Sequence, residues 1–499
     1  MTRINTLYLV LLMAVMTLSL SVLVSCNHKD DDDDVYTYST SEQTTLITGF
    51  ALQTNSEVLA NLDSVHFTVD YDNGLIYNAD SLPVGTDITE LKVTVQFLNT
   101  VNSAVFTITG ATEQADTTIT YSSSMSKSLD FTGKTILTVT SADKSQVKDY
   151  EVKVLVHKVN PDSLAWPMAW KRDLPGYDGT ATACKTVCQG SVYRMITSGG
   201  TPSCILLTAS TPDQTVWDKQ RIDLPFSPDI PTLVASDNVL YMLSTEGELY
   251  SSEDGLQWTS CGVKWHSILG AYEDRALGII AGDDDFYHDE YPRSIGFVTT
   301  RVEDGFPVAH TSDMVVTDNE WTVSQQAIIV GGLDSDGKAL NTVWGYDGNN
   351  WGKINNSHST SLPAITDATL FPYYTYRPQA GVRRYARQQS WYIMGGKLAD
   401  GTLNSKIYLS STQGVTWTVA GAALGQPTYM PAFYGAQAFV NHETMTAAST
   451  SNAPRHIKSF DGSWDCPFIY LYGGYNDRGA LLPNVWRGVY IRMTNYPVY

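Results

Sequence analysis

Apolar and polar positions along the chain fall into two regimes. From Val35 to about Lys158 they alternate at period two in short runs: Thr45-Leu-Ile-Thr-Gly-Phe50, Val65-His-Phe-Thr-Val69, Leu91–Phe97, Ala104–Ile108, Thr135–Val139 and Asp149–Val156. That is the pattern of half-buried antiparallel strands. Turn signals such as Asp72-Asn-Gly74 and Ala142-Asp-Lys144 separate the runs. About seven short strands in about 120 residues predict a two-sheet β-sandwich. Val159-Asn-Pro-Asp-Ser163 breaks the pattern, because Pro161 cannot donate to a strand ladder. It is read as the linker, 159–163.

From residue 164 the unit changes. An apolar strand ends in a glycine pair in Gln326-Ala-Ile-Ile-Val-Gly-Gly-Leu333, Ser390-Trp-Tyr-Ile-Met-Gly-Gly-Lys397 and Phe468-Ile-Tyr-Leu-Tyr-Gly-Gly-Tyr475. A polar turn with Asp and Gly follows, then an Asn (Asn341, Asn404, Asn484), then an apolar-aromatic strand. Ser191–Gly200 carries the pair too, and Val239–Gly247 and Ala276–Gly282 are degenerate forms. Counted at 199, 244, 281, 331, 395 and 473, the second strands lie 45, 37, 50, 64 and 78 residues apart. Such units must stack to bury their faces, which predicts a β-propeller of six blades with insertions in the last two. The fold class is therefore all-β, a sandwich over 35–158 followed by a propeller over 164–499.

The glycine pairs and the outer-strand tryptophans Trp217, Trp258, Trp351 and Trp417 resemble the kelch family. The last repeat lacks this Trp, and Leu164–Lys171 is placed to supply the missing outer strand and close the ring, with Trp170 in the Trp role. Ser251-Ser-Glu-Asp-Gly-Leu-Gln-Trp258 and Ser410-Ser-Thr-Gln-Gly-Val-Thr-Trp417 resemble the Asp box, a turn that implies folding and not catalysis. In the first domain, Val139–Val154 resembles the last hairpin of the immunoglobulin-like modules of Bacteroides-type surface lipoproteins. The resemblance implies an Ig-like stalk.

The charges and cysteines add an address. Arg3, the apolar run Leu7–Leu23 and Leu23-Val24-Ser25 before Cys26 form an export signal, 1–25, that resembles a bacterial lipobox. The resemblance implies lipidation of Cys26. Five consecutive Asp, 30 to 34, cannot pack, so 26–34 is a solvated tether. An acidic run at this place resembles the signal that sends Bacteroides-type lipoproteins to the outer face of the outer membrane. The membrane is then met only through the lipid anchor. A net charge of −20 excludes nucleic acid as a natural partner. Cys184, Cys188, Cys204, Cys261 and Cys466 sit mostly in apolar strands and read as buried thiols. No metal or cofactor is expected.

Candidate chemistry gathers on the face built by the loops after the glycine pairs and the segments entering each first strand. That face would receive Thr201, Glu246, Asp334, Asp336, Lys397, Asp400, Tyr475 and Arg478, with the acidic stretch 283–293 as its largest loop. Asp283, Asp285, Tyr287, His288, Glu290 and Arg293 are binding candidates there, beside Asp284 and Asp289. The insertion 371–389 adds Tyr373, Tyr374, Tyr376 and Arg377, with Arg383, Arg384 and Arg387, as an inter-blade loop with stacking and carboxylate-reading groups. No nucleophile–base motif is present, and the Arg residues are clustered where a sialidase would spread them over blades. The expectation is a non-catalytic surface lipoprotein whose propeller binds a glycan or a protein. A carbohydrate-active enzyme using the 283–293 carboxylates and a structural subunit of an outer-membrane complex are the alternatives. The whole arrangement resembles two-domain lipoproteins of gut Bacteroides-type bacteria to which no activity is attached.

Overall fold

The computed structural model describes residues 43–157, 160, 163–198, 203–318, 324–355, 361–378, 385–446 and 463–491. The export signal, Cys26, the acidic tether, Gly199, Gly200, Thr201, Arg383 and Arg384 lie outside them, as do the side chains of Tyr376, Arg377 and Arg387. The chain divides into two compact units, Met1–Lys158 and Val159–Tyr499.

The first unit is all-β. Six strands form one sheet in the order Phe67–Asp70, Leu75–Asn78, Val147–Lys153, Lys134–Ser141, Val101–Thr109, Thr117–Thr120, and Ile47–Leu52 pairs with Val93–Phe97 in a second. All neighbours are antiparallel except Leu75–Asn78 with Val147–Lys153. The alternation seen in the sequence is the burial pattern: Thr135, Leu137, Val139 and Ser141 face in while the residues between them do not. Phe106, Leu137, Val139 and Tyr150 are closed off from solvent, and the Tyr150 hydroxyl donates to the Thr45 carbonyl.

The second unit is a β-propeller, built among the described residues from six antiparallel sheets met in chain order. Their innermost strands are Cys184–Gln189, Val234–Ala235, Ser267–Tyr272, Val315–Asp318, Thr369–Pro378 and Gln437–Thr446. Their second strands end at Ser198, Leu243, Ala281, Val330, Met394 and Tyr472, beside the positions counted from the repeats. Aliphatic and aromatic residues of neighbouring sheets form the cores between them, as where Ile328 and Val330 meet Leu370, Trp391 and Ile393.

The glycine pairs are the joints of this ring. Gly331 and Gly332 have φ of +66° and +103°. A Cβ on Gly331 would stand 2.1 Å from the Ile365 carbonyl oxygen, and one on Gly332 2.8 Å from that of Ala309. The Gly332 N–H donates to Ile365 at 2.9 Å. A side chain is thus excluded by backbone of the segments entering the fourth and fifth sheets, and the backbone angle itself suits glycine.

Closure runs through the two ends of the unit. Ser163–Ala165 and Arg172–Asp173 both pair with Asn484–Ile491 of the sixth sheet. The indole buried there is Trp166, which is 1% exposed and covers Gly488, whereas Trp170 is 36% exposed. The sequence pointed to Trp170, but its place on a short 3-10 turn turns it outward, over the Arg487 guanidinium. Trp217, Trp258 and Trp417 are buried, and each donates its indole N–H to the carbonyl three residues before it. In the turns ahead of the last two, Ser252 and Ser410 accept the N–H of Gly255 and Gly414.

The insertion after Phe371 is not a loop between sheets. Thr369–Pro378 and Tyr385–Met394 are the first two strands of the fifth sheet, paired over ten residues, and Gln437–Thr446 with Ser463–Tyr472 repeat this in the sixth. The long spacings therefore extend inner hairpins at the end away from the glycine pairs.

Candidate functional site

Six segments entering the innermost strands surround a cavity of about 510 Å³. Lys185 comes from the first sheet, Asp229 from the second, His266 from the third, His310 and Asp313 from the fourth, Asp367 and Lys397 from the fifth, and Tyr434 and Tyr475 from the sixth. A second cavity of about 490 Å³ continues along the same innermost strands toward the opposite end, and Lys185, Val234 and Asp313 line both. Lys185 and Asp313 form an ion pair at this waist, the lysine nearly buried and the aspartate 42% exposed.

Backbone links set the geometry of the mouth. The Asp367 N–H donates to the His310 carbonyl at 2.9 Å, and the Gly435 N–H donates to the Asp367 carbonyl at 2.8 Å. All three have left-handed backbone, φ +55° at His310, +50° at Asp367 and +65° at Gly435. Glycine adopts this conformation freely, whereas a residue with a Cβ is strained by about 1–3 kcal/mol. In the fourth and fifth sheets the chain keeps a histidine and an aspartate where the sixth has glycine. Their side chains meet, with His310 Nδ1 2.9 Å from Asp367 Oδ1.

The electrostatics of the mouth are mixed. The hydrogen bond His310 donates to the Asp367 carboxylate raises the His310 pKa. Burial raises the Asp229 carboxyl, with His310 opposing, and burial lowers His266. Lys397 Nζ sits 3.5 Å from the centre of the Tyr434 ring. The Tyr475 phenol accepts the Cys184 N–H at 3.3 Å, and burial pushes both the phenol and the Cys184 thiol up, the thiol to about 12. Charged, neutral and aromatic groups thus converge from sites up to about 290 residues apart in the chain, as the Cys184–Tyr475 bond shows. Such a concave site offers a ligand several donors and acceptors at once.

Of the residues picked from the sequence, Tyr475 and Lys397 reach this mouth. The acidic stretch does not. Its residues Phe286–Tyr291 are the third strand of the third sheet, which carries His288, Asp289 and Glu290 away from the mouth into buried positions. Asp289 accepts the Trp265 indole and the Arg293 guanidinium, each at 2.9 Å. Glu290 accepts Arg275 at 2.9 Å and the Ser294 N–H at 2.6 Å. Asp283 is exposed, Asp285 is held by Arg301 at 2.8 Å, and these two and Tyr287 lie outside the lining of both central cavities. Arg478 is exposed on its turn and also outside it.

Tyr373 and Tyr374 are core residues, 5% and 6% exposed. The Tyr373 hydroxyl donates to the Pro467 carbonyl at 2.7 Å and accepts the Tyr490 N–H at 3.0 Å. Asp334 and Asp400 cap their own turns, on the N–H groups of Asp336, Lys338 and Thr402. Asp229, His266, His310 and Asp367 were missed because none belongs to a motif or to a run of charge. The signal available was position: each enters an innermost strand.

A family model described as the DUF6242 beta propeller domain matches residues 160–496, and one described as the DUF6242 N-terminal domain matches 37–154. No curated protein matches. Among solved structures, the chain is similar to the structure of YjhT at 11% identity, covering 62% of this chain and 95% of that one, with a TM-score of 0.38. A mutant of AofleA from Arthrobotrys oligospora is 12% identical over 65% of this chain and 91% of its own, TM-score 0.34. The SapL1 lectin in complex with alpha methyl fucoside is 9% identical over 64% and 97%, TM-score 0.30.

Proposed function

The chain belongs to the DUF6242 family, and from that premise we propose that it is a non-catalytic binding protein whose propeller mouth takes the end of a glycan. The convergence of Asp229, His310, Asp367, Lys397 and Tyr434 on one cavity of about 510 Å³ carries this reading. A sugar ring presents hydroxyls that both donate and accept, and this rim has carboxylates, an ammonium, imidazoles and tyrosine faces to meet them. The strained backbone at His310 and Asp367 supports it, since strain of this kind collects at ligand clamps.

On this reading the six sheets are the blades of a six-bladed, kelch-like propeller, and the first unit is an Ig-like stalk. Cys26 carries the lipid, and residues 27–34 tether the protein to the outer membrane facing outward. The lipobox-like residues before Cys26 and the five Asp support that address.

A second reading, a carbohydrate-active enzyme, draws on Asp229. Burial raises its carboxyl, which is the condition a general acid needs, and Asp367 across the mouth is a candidate base.

One experiment separates the two. The full chain and its Lys397→Met variant are screened against host and dietary glycans for binding and for released sugar. Binding without products, weakened about tenfold or more in the variant, is expected, as for loss of a charge-assisted hydrogen bond. Release of sugar would put the enzyme first. Absence of any glycan binding would sink the proposal and leave a protein ligand.

A further inference from the structure

A third cavity, of about 360 Å³, lies between the third and fourth sheets of the propeller, and it is where the acidic stretch ends up. Its buried charges are already answered: Glu290 by Arg275, and Asp289 by Arg293 and the Trp265 indole. What remains unengaged has one chemical character. His288 lines the cavity at 7% exposure, with Nε2 2.9 Å from Glu303 Oε2. Glu303 is 47% exposed and gives His288 one of its two oxygens, so the other is open to the cavity it lines. Trp351 adds a half-buried ring to the same wall.

An open carboxylate oxygen and an aromatic ring, with no uncommitted donor charge among the described residues that line the cavity, suit an organic cation bearing N–H groups. The rim tells whose cation it is. Ile295 is fully exposed and Val298 is 72% exposed, both lining the same cavity. Apolar side chains held out in solvent around a charged pocket fit a macromolecular surface better than a small solute. The chain's net charge of −20 draws a basic partner toward it.

We propose that this pocket receives the side chain of an arginine or lysine presented by a protein partner, with the ammonium or guanidinium between Glu303 and Trp351 and apolar neighbours against Ile295 and Val298. It is separate from the mouth and does not depend on the glycan reading.

The probe is N-acetylarginine methylamide, titrated into the full chain and followed by tryptophan fluorescence, with N-acetylglutamine methylamide and methyl glucoside as neutral controls. The arginine probe is expected to saturate and to weaken with added salt, while both neutral probes give no saturable change. Glu303→Gln is expected to weaken it about tenfold, the loss of one charge-assisted hydrogen bond. Trp351→Phe, which keeps a ring in the wall, is expected to remove most of the fluorescence change. Asp229→Asn, at the mouth, leaves it unaltered. Equal binding of the glutamine probe, an unchanged affinity in Glu303→Gln, or no saturation by the arginine probe would each overturn the proposal. Methyl glucoside binding lost in Glu303→Gln would overturn it in favour of a second sugar site.

Discussion

The propeller mouth and the wall of the third sheet hold similar residue types and put them to opposite uses. At the wall, Asp289, Glu290, Arg275 and Arg293 come from two neighbouring strands and the turn that follows them, and they neutralise one another. At the mouth, Asp229, His266, His310, Asp367 and Lys397 come one or two each from the second to the fifth sheets, and of these His310 and Asp367 bond to each other through their side chains. Charges close in sequence have short, rigid connections and find partners locally. Of the charges delivered separately to one axis, Lys185 pairs with Asp313 and His310 with Asp367, while Asp229 has no ion pair among the described residues and stays available to a ligand. Density of chemistry in the sequence is thus a poor guide to a propeller's site, and convergence in space is a better one.

The largest effect that tests this comparison is expected at the wall. Glu290→Gln leaves the Arg275 guanidinium, whose side chain is 16% exposed, without its buried counter-charge. Breaking a buried pair costs about 3–5 kcal/mol. Denaturant unfolding measures the loss, and the folded fraction is expected to bind at the mouth as before. A stable Glu290→Gln protein with a damaged mouth would reverse the roles assigned to the two regions.

Next in size is Tyr373→Phe. Removing the hydroxyl deletes both the bond it donates to Pro467 and the bond it accepts from the half-buried Tyr490 N–H, at a cost of about 1–3 kcal/mol. The sequence offers Tyr373 as a ligand contact, and the fold makes it a strut between the fifth and sixth sheets. Lower glycan affinity at full stability would restore the first role and remove the second.

How much the sequence revealed follows the same division. Period-two alternation located six of the eight described strands of the first unit to within about three residues, because one face of each strand packs on a core, and it missed Leu75–Asn78 and Thr117–Thr120. The repeat of strand and glycine pair located the second strand of every sheet, because the joint between sheets excludes Cβ by contact with backbone. The extended hairpins of the fifth and sixth sheets were hidden, since Phe371–Tyr376 is rich in aromatics that suit a loop and a strand equally. Trp166 and Trp170 differ by four positions, and only packing on Gly488 tells them apart. The mouth was legible as a place and not as a set of residues. Polar residues of mixed type in the segments before the innermost strands repeat no motif, and the left-handed backbone that distinguishes His310 and Asp367 leaves no trace in residue type.

That backbone sharpens the comparison from the side of the mouth. Asp367→Gly restores the residue type that the equivalent position of the sixth sheet already has. Strain of at least about 1 kcal/mol is released, and a half-exposed ion pair worth up to about 1 kcal/mol is lost. Stability is therefore expected to change little, in contrast with Glu290→Gln, while binding at the mouth falls sharply. A large loss of stability with binding intact would make Asp367 a structural residue like those of the wall.

The smallest effect is a dependence on pH. The Asp367 carboxylate raises the His310 pKa above its ordinary value, against the opposing effects of burial and Lys397 and with a smaller contribution from Asp229. A histidine whose pKa is raised by folding binds its proton more tightly in the native state. The stability it contributes is fully present below the unfolded value, about 6.5, and is lost as pH rises through the native value. His310 is 56% exposed, so solvent screens the pair and the contribution stays below about 1 kcal/mol. Asp367→Asn removes the charge and keeps the side-chain shape. The gap in melting temperature between wild type and Asp367→Asn is expected to be widest near pH 6 and to close as the medium becomes alkaline. His288 at the wall also faces a carboxylate, Glu303, but that contact lies outside the mouth, so Glu303→Gln is expected to leave the pH profile of mouth binding unchanged. A gap between wild type and Asp367→Asn that stays constant with pH would show that His310 and Asp367 are held together by backbone alone. The mouth would then be as self-contained as the wall, and the distinction between the two regions would fail.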